Sequence, residues 1–388
     1  MKNILFLFSP YQENYHNRFG IDILKKNFVV KIFDCTPWTS KKYWDLYSKN
    51  LKKNNEHIVI NNKKDFLNHI SQINNAYIIE NLPNNSNSHW VRKILKRKNC
   101  LFVSRNLNPI PELRKNIIEK IIAFLKLLIS VNFLYTLNQF VQKKKNNLIK
   151  SNSEIFIVGG QSALKKIKKG NIIKAHSMDY DVYLSIKDIK SSDNRKPYAV
   201  FLDQDMASHP DPVVLGIKRE INELKYYEVL TKFLKKFEIE TKLKVIVSIH
   251  PKSKNKNLKN LLEGIEYSKE NSAELVKNSS LTLLHDSTAI SFAILFNKPT
   301  LFLTSNHLNK TQFGPRINNV AKIVNSRIIN MDNFLEKNID TKDLFQFDQG
   351  KYKDYLDQYL KIPNSSNLPI WEIFSKQVKE EEFKKNIL

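Results

Sequence analysis

Glycine is scarce in this chain, with 8 among 388 residues, which excludes a glycine-built repeat or a flexible linker protein. Two cysteines, Cys35 and Cys100, are too few for a disulfide framework and have no metal-ligand spacing. Cys35 closes an apolar run and Cys100 opens one, so both are expected to be buried thiols in a reducing compartment. Acidic residues are in deficit, 38 against 63 Lys and Arg, which gives a net charge of +25. Zinc-knuckle spacing, a homeodomain-like helix and an RNP-type aromatic strand are all missing, so a nucleic-acid partner is not expected. There is neither a Walker loop nor a dinucleotide fingerprint. Met1–Pro10 is too short for a signal h-region and has no small-residue cleavage site, and it reads as a first strand. The expected location is the cytoplasm, with a peripheral place on the inner face of the membrane open.

That membrane question turns on one segment. Ile117–Phe140 is strongly apolar and is followed by Lys143, Lys144 and Lys145, but Glu119, Lys120 and Lys126 interrupt it. No uncharged apolar run of about 18 residues results, so a spanning helix is not expected. Two readings stand: an in-plane helix at an anionic membrane surface, and a long helix packed in the protein. The basic balance likewise has three readings. It suits nucleic acid, an anionic lipid or sugar nucleotide, or simply a Lys-, Asn- and Ile-rich composition of the kind an AT-rich genome encodes.

Short β-rich runs alternate with helical stretches. Strands are expected at Ile4–Phe8, Phe28–Asp34, Ile58–Ile60, Ala76–Glu80, Leu101–Val103 and Glu154–Val158. Helices are expected at Tyr15–Lys26, Asp65–Ile73, His89–Lys98 and Ala163–Lys168, with a long basic and apolar helical region over 111–150. A polar stretch, Lys187–Lys196, reads as an interdomain linker. The rhythm restarts with strands at Tyr198, Lys244, Leu281 and Thr300, helices at Pro212–Lys236, Ala273–Asn278 and Thr288–Phe296, and weaker elements at Ala321–Val324 and Ile328–Asn330. The expectation is α/β: two Rossmann-like doubly wound lobes facing a cleft, residues 1–190 and 197–370, with a charged C-terminal helix over 371–388 packed across their junction.

Three strands of the second half stop at reactive groups. Tyr198–Leu202 runs into Asp203, Gln204 and Asp205. Lys244–Ile249 runs into His250, Pro251 and Lys252. Leu281–Leu284 runs into His285, Asp286, Ser287 and Thr288. Ligands of open parallel sheets bind beyond the carboxyl ends of strands, so these ends are expected to share one site. Asp203 or Asp205 suits a general base or a nucleophile, and Asp211 a helix cap. His250 is held extended by Pro251 and suits a phosphate or a leaving group, with Lys252 and Lys254 adding charge. Ser287 or Thr288 would cap an apolar helix whose first turn favours an anion, with His285 beside it. Gly159 and Gly160, after the Glu154–Val158 strand, allow close approach of a phosphate. Ser9, His16 and Arg18 on the first lobe, with His209 after the acidic pair, are candidates for the acceptor side. No metal site is expected.

The order of a carboxylate motif, then His250-Pro251, then Ser287-Thr288 resembles bacterial transferases of the GT-B architecture that use CMP-activated acidic sugars, such as sialyltransferases, polysialyltransferases and Kdo transferases. The resemblance covers roughly Tyr198 to Thr304, and it departs at Met206, where the sialyltransferase acidic motif has glycine. It implies a metal-independent glycosyltransferase of surface polysaccharide synthesis that needs no cofactor beyond its nucleotide-sugar donor. It also implies a glycan or lipid-linked acceptor. His250, Ser287 and Thr288 would contact the donor nucleotide and phosphate, and Asp203 or Asp205 would be the catalytic acid. Two other readings remain: a UDP-sugar transferase, epimerase or polyol-phosphate transferase of similar lobes, and a non-catalytic glycan- or membrane-binding protein.

Overall fold

The computed structural model describes residues 2–12, 14–48, 57–113, 137, 141, 144–145, 154–190, 195–207, 221–250, 253, 255–336 and 341–387. The first lobe is a seven-stranded parallel sheet in the order β3-β2-β1-β4-β5-β6-β7. Its strands are β1 Asn3–Phe8, β2 Val29–Asp34, β3 Ile58–Val59, β4 Tyr77–Asn81, β5 Leu101–Asn106, β6 Glu154–Gly159 and β7 Asn171–Ala175. The second lobe is a six-stranded parallel sheet in the order β10-β9-β8-β11-β12-β13. It consists of β8 Tyr198–Leu202, β9 Lys244–Ser248, β10 Glu266–Ser268, β11 Leu281–Leu284, β12 Thr300–Thr304 and β13 Ile328–Asn330. β8, β11 and β12 are buried along their whole length, which is why they read as unbroken apolar runs.

In each sheet the chain starts in the middle, winds outward to one edge, and returns to wind to the other. The reversal falls between β1 and β4 in the first lobe and between β8 and β11 in the second. At such a point the connections from the two neighbouring strands run off in opposite directions, so a crevice opens beyond the strand ends.

β7 and β10 are additional to the strands expected from sequence. Both are edge strands with exposed positions, so neither carries a buried strand's apolar signal. Ala321–Val324 lies at the end of a helix, Phe313–Ile323. The helix expected over Tyr15–Lys26 is two, Tyr15–Arg18 and Ile21–Lys25, broken at Gly20 with φ +53°. A Cβ there would meet Trp371 Cδ1 at 2.7 Å, so the residue allows both the turn and the indole above it.

The lobes exchange elements. Ile186, on the helix Met178–Ile186, joins the second lobe's core, so the crossover precedes the polar stretch read as a linker. The last helix, Ile370–Ile387, returns to the first lobe, where Ile370, Trp371, Ile373, Phe374 and Val378 pack with Ile4, Phe6 and Phe19. No helix of the described residues is long and apolar enough to cross a membrane. The expected helix over Ile117–Phe140 lies outside the described residues but for isolated positions, as do Lys143 and the Pro212–Ile217 start of the next expected helix.

Candidate functional site

A cleft of about 1380 Å³ lies between the lobes. The second lobe supplies its chemistry from strand ends beside the β8/β11 reversal. Asp203 and Gln204 follow β8, His250 follows β9, and Asp286, Ser287 and Thr288 follow β11. Opposite them stand Asn14, Asn17 and Arg18 of the first lobe, and the helix Met178–Ile186 adds Asp179 and Asp181.

Asp203 is only 4% exposed although it lines the cleft. Its backbone N–H donates to Ser248 O (3.1 Å), which ties the end of β8 to β9. Its Oδ1 accepts the backbone N–H of Asp205 at 3.0 Å, while Oδ2 has no hydrogen-bond partner among the described residues. Burial, reinforced by the Asp205 charge, pushes the carboxyl up to about 7. Such a group exchanges protons near neutral pH, as a general base must.

Asp205 does not line the cleft. It is 1% exposed and sits at φ +51°, a conformation few side chains adopt. That turn aims its N–H at Asp203, so the two expected carboxylates are unequal: one faces the cleft and the other orients it.

His285 is a correction. The imidazole is fully buried, with Nδ1 2.7 Å from Leu303 O and Nε2 3.0 Å from the Tyr226 hydroxyl. Nδ1–H therefore donates to the carbonyl, and Nε2 accepts from the tyrosine. Burial lowers its pKa, which keeps the ring neutral. It directly follows β11, is buried against Tyr226 and Leu303, and does not line the cleft. Gly159 and Gly160 are corrected likewise. A Cβ on Gly159 would strike the His176 backbone at 2.6 Å, and one on Gly160, at φ +99°, would strike Gln358 O at 2.6 Å. Their close approach is to the protein's own backbone, away from the cleft.

Of the described acceptor-side candidates Ser9, His16 and Arg18, it is Arg18 that lines the cleft. Its Nε donates to Met178 Sδ at 2.9 Å, reaching the helix that enters the second lobe. Ser9 is engaged in a hydroxyl chain, accepting from Thr39 and donating to Ser40, each at 2.9 Å. His16 pairs with Asp22 at 2.9 Å outside the cleft. His209, Asp211, Pro251, Lys252 and Lys254 lie outside the described residues. The apolar helix after β11 begins at Ile290, later than expected, and the Ser287 hydroxyl accepts the N–H of Ala289 at 3.3 Å.

Sequence reading missed several lining residues. Asp181 is one: burial raises it to about 7, and it accepts the N–H of Ile370 at 3.1 Å. Asp179 accepts from Ser291 Oγ at 2.5 Å, and burial raises its pKa. Gln204 and Arg316 join Asp286 in one network, described below. Asp179, Asp181 and Arg316 lie on helices without a strand-end signal, whereas Gln204 and Asp286 stand at the strand ends already singled out. Among the described residues no cluster of three or more His, Cys, Asp or Glu is placed to hold a metal ion.

No family model matches the chain, and no curated protein matches it. Solved structures do. The wall teichoic acid polymerase TagF matches with TM-score 0.53 and 12% identity, over 98% of this chain and 90% of that one. A UDP-GlcNAc 2-epimerase from Methanocaldococcus jannaschii, solved with UDP-GlcNAc and UDP, matches with TM-score 0.47 and 13% identity over 99% and 100%. MurG from Acinetobacter baumannii matches with TM-score 0.45 and 7% identity over 97% and 95%. The likeness to TagF shows the fold: two parallel α/β lobes facing a cleft, of the GT-B type.

Proposed function

We propose that the chain is a transferase that moves a glycosyl or polyol-phosphate group from a nucleotide-activated donor to a hydroxyl of a glycan or lipid-linked acceptor. The observation that carries this reading is Asp203: nearly buried, raised to about 7, and lining the interlobe cleft at the point where the strand order reverses, with Oδ2 left without a hydrogen-bond partner among the described residues. The likeness to TagF, named as a wall teichoic acid polymerase, supports a role in building a surface polymer. UDP- and CDP-linked donors fall within the reading alongside the CMP-linked ones suggested by the sequence resemblance.

Asp203 takes the proton of the acceptor hydroxyl. The freed oxygen attacks the anomeric carbon, or the phosphorus of a polyol phosphate. The bond to the nucleotide's phosphate oxygen breaks, and its electron pair leaves with the nucleotide. His250, Ser287 and Thr288 line the donor side of the same cleft and suit the departing phosphate.

The test is nucleotide release, followed by chromatography, from UDP-, CMP- and CDP-activated sugars and CDP-polyols with candidate acceptors. The wild type is expected to release nucleotide from one donor class. Asp203→Asn is expected to lose about 100-fold or more, the usual scale of general-base catalysis. Release that ignores this substitution, or no release from any donor, overturns the reading.

A further inference from the structure

We propose that Arg316, held by Asp286 and Gln204, is the side chain that binds the donor's phosphate or diphosphate. The inference rests on reading the cleft as a nucleotide-donor site.

Arg316 enters the cleft from the helix Phe313–Ile323, well removed in sequence from the strand ends. Its Nε lies 2.6 Å from Asp286 Oδ2. The other carboxylate oxygen, Oδ1, accepts from Gln204 Nε2 at 2.9 Å. Gln204 Oε1 in turn accepts the backbone N–H of Asp286 at 3.1 Å. The amide thus grips Asp286 at two points, and the carboxylate has no freedom to swing. The Phe313 ring, 5.7 Å from the guanidinium carbon, supports the group further.

The protein contains its own control for what a purely structural arginine looks like. Arg92 meets Glu80 with two parallel bonds, from Nε and Nη2, each 2.8 Å, with both side chains nearly out of water at 3% and 5% exposure. Arg316 differs in each respect. It pairs through Nε alone, by charge and proximity and without hydrogen-bond geometry, its side chain is 42% exposed while that of Asp286 is 2% exposed, and its Nη atoms make no hydrogen bond to a described residue. Four N–H donors of a fixed planar fork are left in the cleft. That arrangement fits the paired oxygens of a phosphate. Ser287 and Thr288 follow Asp286 directly and line the same cleft, so the residue that orients the cation also carries the two hydroxyls.

Gln204 is accordingly a positioning residue, and Arg316 a binding one. The probes are inorganic pyrophosphate and inorganic phosphate, titrated calorimetrically into the full chain. Arg316→Gln is expected to weaken pyrophosphate binding about tenfold or more, the loss typical of a charged hydrogen bond. Arg316→Lys, which keeps the charge without the fork, is expected to restore part of that loss. Gln204→Leu is expected to weaken binding about threefold or more although Arg316 is intact. Should R316Q melt far below the wild type, the lysine variant carries the comparison. Wild-type affinity in both Arg316 variants, or no pyrophosphate binding by the wild type, overturns the inference. Lost pyrophosphate binding in R316Q beside a silent donor panel leaves this site standing and removes the transferase reading. Turnover that depends on Asp203, with unaltered pyrophosphate affinity in R316Q, does the reverse.

Discussion

Asp203 sets the protein's catalytic prospects against its stability. An ordinary aspartate ionises near 3.8, and burial beside Asp205 moves this one to about 7 in the folded chain. The folded state therefore holds the proton more tightly than the unfolded state does. Stability from that proton is complete below the unfolded value and is lost as pH rises through about 7. Asparagine at 203 removes the penalty of a buried charge while keeping shape. Asp203→Asn is thus expected to melt above the wild type, with a gain larger at pH 8 than at pH 5 by about 2–3 kcal/mol. Calorimetric melting of both proteins at the two pH values measures this. A gain that does not change with pH would remove the buried-charge account. Asp203, His250, Ser287 and Thr288 of the cleft could be singled out from sequence because an apolar run that stops at a polar side chain marks the carboxyl end of a strand. What could not be read was direction. His285 looks as reactive as Ser287 on paper, but in the fold its ring is buried and bonded to Tyr226 and Leu303. Arg316 carries no local mark at all, since only folding brings its helix to Asp286.

The terminal helix shows where pattern reading of an element fails. Its charged residues, Lys376, Lys379 and Glu380, suggest a helix laid across the junction of the lobes. The apolar residues among them, Ile370, Trp371, Phe374 and Val378, fall on one helical stripe. That stripe closes one face of the first lobe's sheet, with Trp371 and Phe374 essentially without exposure. Exposing one such aromatic costs about 3–5 kcal/mol, so losing both approaches the total stability of an ordinary domain. A chain ending at Pro369 is therefore expected to lose amide-exchange protection throughout β1 and β4, as read by mass spectrometry. Protection equal to that of the full chain would show the helix to be an accessory. Alternating strands and helices were legible over most of both lobes because buried parallel strands are uniformly apolar. The edges β7 and β10 were not, because one face and one flank of each meet water. The two sheets lie on either side of the polar stretch Lys187–Lys196, while Ile186 just before it packs in the second core.

For the molecule as a whole, the surplus of basic residues acts through its field whatever its origin in composition. A net charge of +25 surrounds a cleft whose lining includes Arg18, Lys187, Lys269 and Arg316. Asp179, Asp181 and Asp203 stand in the same cleft, but burial raises each of them, so less negative charge opposes the cations there than the sequence suggests. An anionic donor is drawn toward such a mouth over distances that salt screens, about 10 Å at 0.1 M ionic strength. Contacts made inside the cleft are shielded much less. If the chain acts on a nucleotide-activated donor, kcat/KM is expected to fall several-fold between about 20 and 200 mM sodium chloride, while kcat changes little, because steering governs encounter and not the chemical step. Initial rates across a salt series at fixed pH decide the matter. A kcat/KM indifferent to salt would mean that the scattered lysines cancel at the cleft, and an equal fall in kcat would mean that salt disturbs the folded site instead.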